Sequence, residues 1–174
     1  MHFGKTILAG LTAAAALLAA APAQADVLTF HSKLDGKYGA EPTGSTATAR
    51  ARIEIDTARQ LVSVDMTVDG ITADALWDQL VAGPIGPIHF HKYASPAGGE
   101  SVLVLPVPYG PNYRPTERGM HVTMKDYDYA AGARLLKSTL SFDQFVDAMK
   151  SGLVILNVHT DAYNPGEISG RVTS

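Results

Sequence analysis

Six histidines stand in the chain, and five of them (His31, His89, His91, His121 and His159) lie beyond residue 25. His89-Phe90-His91 is the sharpest local feature. In a β-strand, residues two apart share a face, so both imidazoles project to one side with roots roughly 6–7 Å apart. From there two ring nitrogens can converge on one metal ion at ~2.0 Å each. Two isolated imidazoles make a weak site, so a third ligand must come from elsewhere. His159 is the best placed, since it closes the apolar run Leu153-Val-Ile-Leu-Asn-Val158. His121 or His31 could complete the shell. The competing reading is plainer: His89 and His91 are exposed strand residues and His159 is a hydrogen-bonded core histidine, with no metal.

The chain contains no cysteine. That excludes disulfide frameworks, thiolate zinc sites, iron–sulfur clusters and cysteine nucleophiles together, and leaves nitrogen and oxygen as the only metal donors. No Gly-x-Ser-x-Gly elbow, Walker loop, dinucleotide fingerprint or His-Glu-x-x-His motif is present. Asp126 with Asp128, and Asp161 with Glu167, form carboxylate pairs that either support a site from outside the ligand set or solvate loops.

The elements that must position these residues read mostly as strands. Ala47, Ala49, Ala51, Ile53 and Ile55 alternate with Thr46, Thr48, Arg50, Arg52 and Glu54, the period of a half-buried strand. Val62, Val64, Met66 and Val68 repeat the pattern, Thr57-Ala58-Arg59 joins the two runs into a hairpin, and Asp69-Gly70 ends it. Further strands are expected over Val27–Leu34, Ile88–Tyr93, Val102–Val107, His121–Lys125, Leu153–His159 and Glu167–Val172. About eight short strands between Gly/Pro/Asn loops predict an all-β, antiparallel, Greek-key-like sandwich or barrel. One or two short helices interrupt it. Ser141-Phe-Asp-Gln144 is a capping box, followed by Phe142, Phe145, Val146 and Met149 at helical spacing and by Gly152 as a stop. Residues 73–82 carry Leu76, Trp77, Leu80 and Val81 and predict a second helix. Between Pro106 and Gly132 a Tyr- and Pro-rich segment reads as a long functional or ornamental insertion.

The 174 residues suffice for one domain. Residues 1–25 combine Lys5, an uncharged run from Thr6 to Ala21 and small residues at Ala23 and Ala25, which predicts a secretory signal peptide. The apolar run is shorter than the ~20 residues of a bilayer span. The expected product is residues 26–174 as a single domain, periplasmic or secreted, without membrane insertion after cleavage. With 14 Lys and Arg against 17 Asp and Glu, the net charge of −3 argues against a nucleic-acid partner. The expected partner is a metal ion; a homodimer or a protein partner is compatible with the sequence but not specified by it.

Three blocks of residues resemble the CHRD domain family, named after the repeated module of chordin and widespread in secreted bacterial proteins. Phe30-His-Ser-Lys-Leu34-Asp-Gly36 with Glu41-Pro42 and Ser45-Thr-Ala-Thr48 resembles the family's opening pattern. Ile88-His89-Phe90-His91 resembles its His-Ile-His centre. Leu156-Asn157-Val158-His159-Thr160 with Asn164-Pro165-Gly166-Glu167-Ile168-Ser169-Gly170 resembles its closing block, the most specific of the three. Three departures stand out: no Gly follows His91, one residue is missing between Pro165 and Gly166, and Ser169 replaces the usual Arg, for which Arg171 on the same face could compensate. The resemblance implies a β-sandwich, and its signature histidines are the three reached from strand geometry. The ligand type is also similar in outline to copper/zinc superoxide dismutases, an analogy of fold and ligands that does not fix function.

The expected site is therefore one divalent metal on His89, His91 and His159, with His121 as a further ligand. Asn157, Asp161 and Glu167 are expected to orient ring tautomers from the outside. Imidazole donors and the affinity order put copper first and zinc second, with superoxide-dismutase-like redox work feasible. The alternatives are a passive copper or zinc carrier and a metal-free interaction module.

Overall fold

In the computed structural model, the described residues are 26–38 and 42–174. The expected signal peptide over residues 1–25, and Glu41 of the opening block, lie outside them. The alternating hairpin forms as its pattern dictates. Strands β2 (Thr48–Asp56) and β3 (Leu61–Asp69) pair antiparallel, with Ile53 opposite Val64 and Ala51 opposite Met66, all four buried. On β2, Arg50 and Arg52 take the wet face. The remaining strands are β1 (Val27–Asp35), β4 (Ile88–Ser95), β5 (Gly98–Val107), β6 (Tyr113–Thr116), β7 (Gly119–Asp128), β8 (Val154–Val158) and β9 (Ile168–Thr173).

All nine strands belong to one antiparallel sheet in the order β5-β4-β8-β9-β1-β2-β3-β7-β6. The fold is all-β, as expected. The two sandwich layers are the halves of this single sheet, and a short connection shows why it must curl. Strands β5 and β6 are at opposite edges, which a flat sheet of this width would hold about 38 Å apart. Only residues 108–112 join them, a chain that reaches about 20 Å when extended. The sheet therefore rolls until its edges approach. Phe30, Ile53, Met66, Phe90, Leu105 and Leu156, drawn from six strands, then share one core.

The segment expected as an insertion closes that seam. Part of it is β6, whose Pro115 is tolerated because the strand lies on an edge. The Tyr113 hydroxyl donates to the Val107 carbonyl at 2.7 Å, tying β6 to β5. Helix α1 (Asp78–Val81) lies before β4, whereas helix α2 (Tyr129–Leu136) follows β7 and packs against both β5 and β7. It starts at Asp128, whose carboxylate accepts from the Ala131 N–H. Gly132 lets it come close: a Cβ there would lie 2.8 Å from Leu105 and 2.9 Å from Tyr127.

Helix α3 (Phe142–Lys150) carries the expected capping box and buries Phe142, Phe145, Val146 and Met149. Residues 73–82 do not form one helix. A 3₁₀ turn at Ala73–Ala75 and the single turn of α1 flank Leu76 and Trp77, whose backbones are extended. Tertiary pairing overrides the helical spacing there: Leu76 forms an isolated bridge with Thr160, and the Trp77 N–H donates to the His159 carbonyl.

Candidate metal centre

Strand parity assembles the three histidines. On β4, Ile88 and Phe90 enter the core, so His89 and His91 face the other way. Strand β8 pairs with β4 with Ile88 opposite Val158 and His89 opposite Asn157. One step beyond, the His159 N–H donates to the Pro87 carbonyl at 2.9 Å, which continues the ladder. His159 therefore lies on the same face as Asn157 and, across the pair, as His89. The register with β5 shifts between Phe90 and His91, which pair with Leu105 and Leu103, whereas the register with β8 runs unbroken through His91.

One ring nitrogen from each of His89, His91 and His159 lies within 4.8 Å of the other two. The Nδ1 of His89 is 3.2 Å from the Nε2 of His159. Two nitrogens on a tetrahedral ion at ~2.0 Å are separated by about 3.3 Å, so this pair already has a chelating separation. His89 and His159 are only 4% and 6% exposed. The Nε2 atoms of His89 and His91 are buried without a hydrogen-bond partner among the described residues.

The protonation pattern follows from the acceptors. A carbonyl can only accept, so the His159 Nδ1 carries a proton and donates it to the Asn164 carbonyl at 2.7 Å. The neutral ring therefore presents a bare Nε2 toward His89. Burial, followed by the neighbouring His159 and His91, pushes the His89 pKa down to about 3, against a weaker pull from the Gly86 carbonyl. Burial and then His159 lower His91 to about 4. Burial also lowers His159, opposed by its bond to Asn164. At neutral pH all three rings are uncharged, the state a metal ligand requires.

The other expected site residues fall elsewhere or act differently. The structure does not bring His121 to the cluster: it lies on β7, with Nε2 3.1 Å from the Asp65 carboxylate. His31 is exposed on β1, opposite Arg52 of β2. Asp161 does not touch an imidazole; its carboxylate accepts from the Asp78 N–H at the start of α1. Arg171 donates to the carbonyls of Gly152 and Pro96 and lies over the Tyr38 ring, so it links loops and does not stand in for a charge at the histidines. Asn157 is buried opposite His89, with its Oδ1 unpartnered among the described residues. Glu167 accepts from the hydroxyls of Ser45 and Thr160, each at 2.7 Å. The group that fixes the His159 tautomer, the Asn164 carbonyl, was not foreseen, because a backbone acceptor leaves no mark in residue type. The nearest signal is the Asn164-Pro165-Gly166 turn that places it.

No curated protein and no solved structure is significantly similar to the chain. Residues 30–172 match the CHRD domain family. That span contains all three clustered histidines and the loop that orients His159. The chain belongs to the CHRD domain family.

Proposed function

We propose that this CHRD domain binds one divalent metal ion through His89, His91 and His159, copper in first place and zinc in second. The observation that carries the reading is a cluster of three neutral imidazoles, two buried and one half-buried, with a ring nitrogen of each within 4.8 Å of the others and the His91 Nε2 without a partner among the described residues. Leaving a buried ring nitrogen unmet costs about 1–3 kcal/mol; a cation taken by the His91 Nε2 would remove that cost there, while His89, whose Nδ1 faces His159, would ligate through Nδ1. The donor set suits copper and zinc alike. Copper ranks first because it heads the affinity order for nitrogen sites. Bound copper would supply a one-electron couple, which makes superoxide-dismutase-like redox activity the enzymatic form of the proposal and passive carriage the non-enzymatic one. The protein's own part is to hold three uncharged rings and to keep the His159 Nε2 free of a proton. The site would work in the periplasm or outside the cell; among the described residues no helix is long and apolar enough to cross a membrane.

A second reading has one observation in its favour. The 3.2 Å contact between His89 and His159 is also an ordinary hydrogen-bond length, so the trio could be a metal-free polar cluster in an interaction module. Metal analysis of the purified secreted protein, beside His89→Ala and His159→Ala, separates the two. The metalloprotein reading predicts one equivalent of copper or zinc, lost in both variants. Wild-type protein without metal uptake contradicts it. A superoxide assay on the copper-loaded form then separates enzyme from carrier.

A further inference from the structure

One carboxylate ties the loop that carries the His159 proton acceptor to the segment before β2. Residues 160–166 have no regular strand or helix, so ordering them costs entropy that specific ties must offset. The Thr160 carbonyl accepts from the Asn164 side-chain amide at 3.3 Å, and the Thr160 hydroxyl accepts from the Tyr163 N–H at 3.2 Å. That hydroxyl in turn donates to Glu167 Oε2 at 2.7 Å. Glu167 Oε1 reaches the other way and accepts from Ser45 at 2.7 Å. Nearby, the Thr43 hydroxyl donates to the Glu167 carbonyl, and the Tyr163 hydroxyl donates to the Thr43 carbonyl. Glu167 makes no ion pair among the described residues. Its charge is met by the two hydroxyls, and such charge-assisted bonds are roughly twice as strong as neutral ones.

We propose that Glu167 is a positioning residue, acting through Thr160. Its carboxylate clamps the 160–166 loop to the 42–45 segment, so that the Asn164 carbonyl holds His159 as its Nδ1–H tautomer and leaves Nε2 available. The consequence for metal affinity rests on the proposed metal centre; the tautomer claim does not. Without the clamp the loop loosens, the carbonyl no longer selects a tautomer, and His159 samples the Nε2–H form that cannot ligate toward His89.

Nitrogen NMR of the imidazoles in the metal-free protein reads the tautomer directly. Wild type should show His159 as the Nδ1–H form, and Glu167→Ala should show a mixture of both. Glu167→Gln, which keeps the shape and an acceptor oxygen, should restore most of the wild-type pattern. Asp161→Ala serves as a control for general loosening of the loop, since it removes the tie to Asp78 and leaves Thr160 alone; its tautomer should match wild type. In parallel, copper and zinc titrations should show a 10–100-fold loss of affinity for Glu167→Ala, the usual scale for groups behind a metal ligand. An unchanged tautomer in folded Glu167→Ala overturns the proposal. So does an equal shift in Asp161→Ala. If Glu167→Ala does not fold, Ser45→Ala carries the test, and an unchanged tautomer there is likewise decisive. A wild type that binds no metal would end the metal reading while leaving the tautomer comparison fully informative.

Discussion

At the scale of single residues, the site is a matter of protons. The three histidines could be read from the chain because strand parity is strict: His89 and His91 share a face by spacing, and a histidine closing an apolar strand stands ready to join them. His121 shows the limit of that reasoning. It too sits on a strand, but its imidazole pairs with Asp65 on a different part of the sheet, and a one-dimensional pattern does not say which strands become neighbours. The depressed pKa values give a pH dependence with a definite sign. His91 keeps a neutral ring down to about pH 4 in the folded protein, against a reference value of 6.5. As pH falls below about 6.5 the unfolded chain takes up protons that the fold refuses. Stability present above that pH is therefore lost on the way down, by at most about 1.4 kcal/mol per pH unit for each such ring. Urea unfolding of the metal-free protein should show its midpoint falling between pH 6.5 and 4, and His91→Leu should make that fall shallower. An identical acid slope in the variant would contradict the assignment.

At the scale of elements, local rules governed where no distant partner intervened. The α3 capping box formed as written, because Ser141 and Gln144 satisfy each other's backbone without help from the rest of the fold. Ser141→Ala should cost about 1 kcal/mol, seen as a lowered thermal midpoint with unchanged metal uptake. Residues 73–82 went the other way, since the bridge from Leu76 to Thr160 splits the expected helix. Helix α2 was hidden by Gly132, a poor helix residue whose purpose is close packing on Leu105, Pro106 and Tyr127. The pairing of β1 with β9 depends on a similar approach: a Cβ on Gly170 would lie 2.1 Å from the Lys33 carbonyl oxygen. Because that neighbour is backbone, Gly170→Ala should destabilise by roughly 3 kcal/mol. A thermal midpoint equal to wild type would show that β1 and β9 can separate at no cost.

At the scale of the whole molecule, an all-β fold was legible from alternation alone, but its curl was not. The curl comes from a five-residue connection between opposite edges of the sheet, and sequence does not say which strands are edges. The seam it leaves is closed by α2 and by side chains. Burial raises the Tyr113 pKa well above its ordinary value, so the phenol remains a donor to Val107 across the working range. Tyr113→Phe should cost about 1 kcal/mol and raise amide exchange in β5 and β6 more than in the β1–β2 pair. Uniform exchange across the sheet would contradict a seam that side chains hold closed. This curl leaves the histidine face of β4 and β8 on the side away from the shared core, where the 160–166 loop can cover it.

The claim on which the functional account depends is that three ring nitrogens from β4 and the end of β8 meet at one ion. Electron paramagnetic resonance of the protein loaded with one equivalent of Cu(II) tests it most directly. The account predicts a single copper species whose nitrogen couplings count three imidazoles, falling to two in His159→Ala and in His91→Ala. A spectrum of loosely held copper, or couplings that survive both substitutions unchanged, would contradict it.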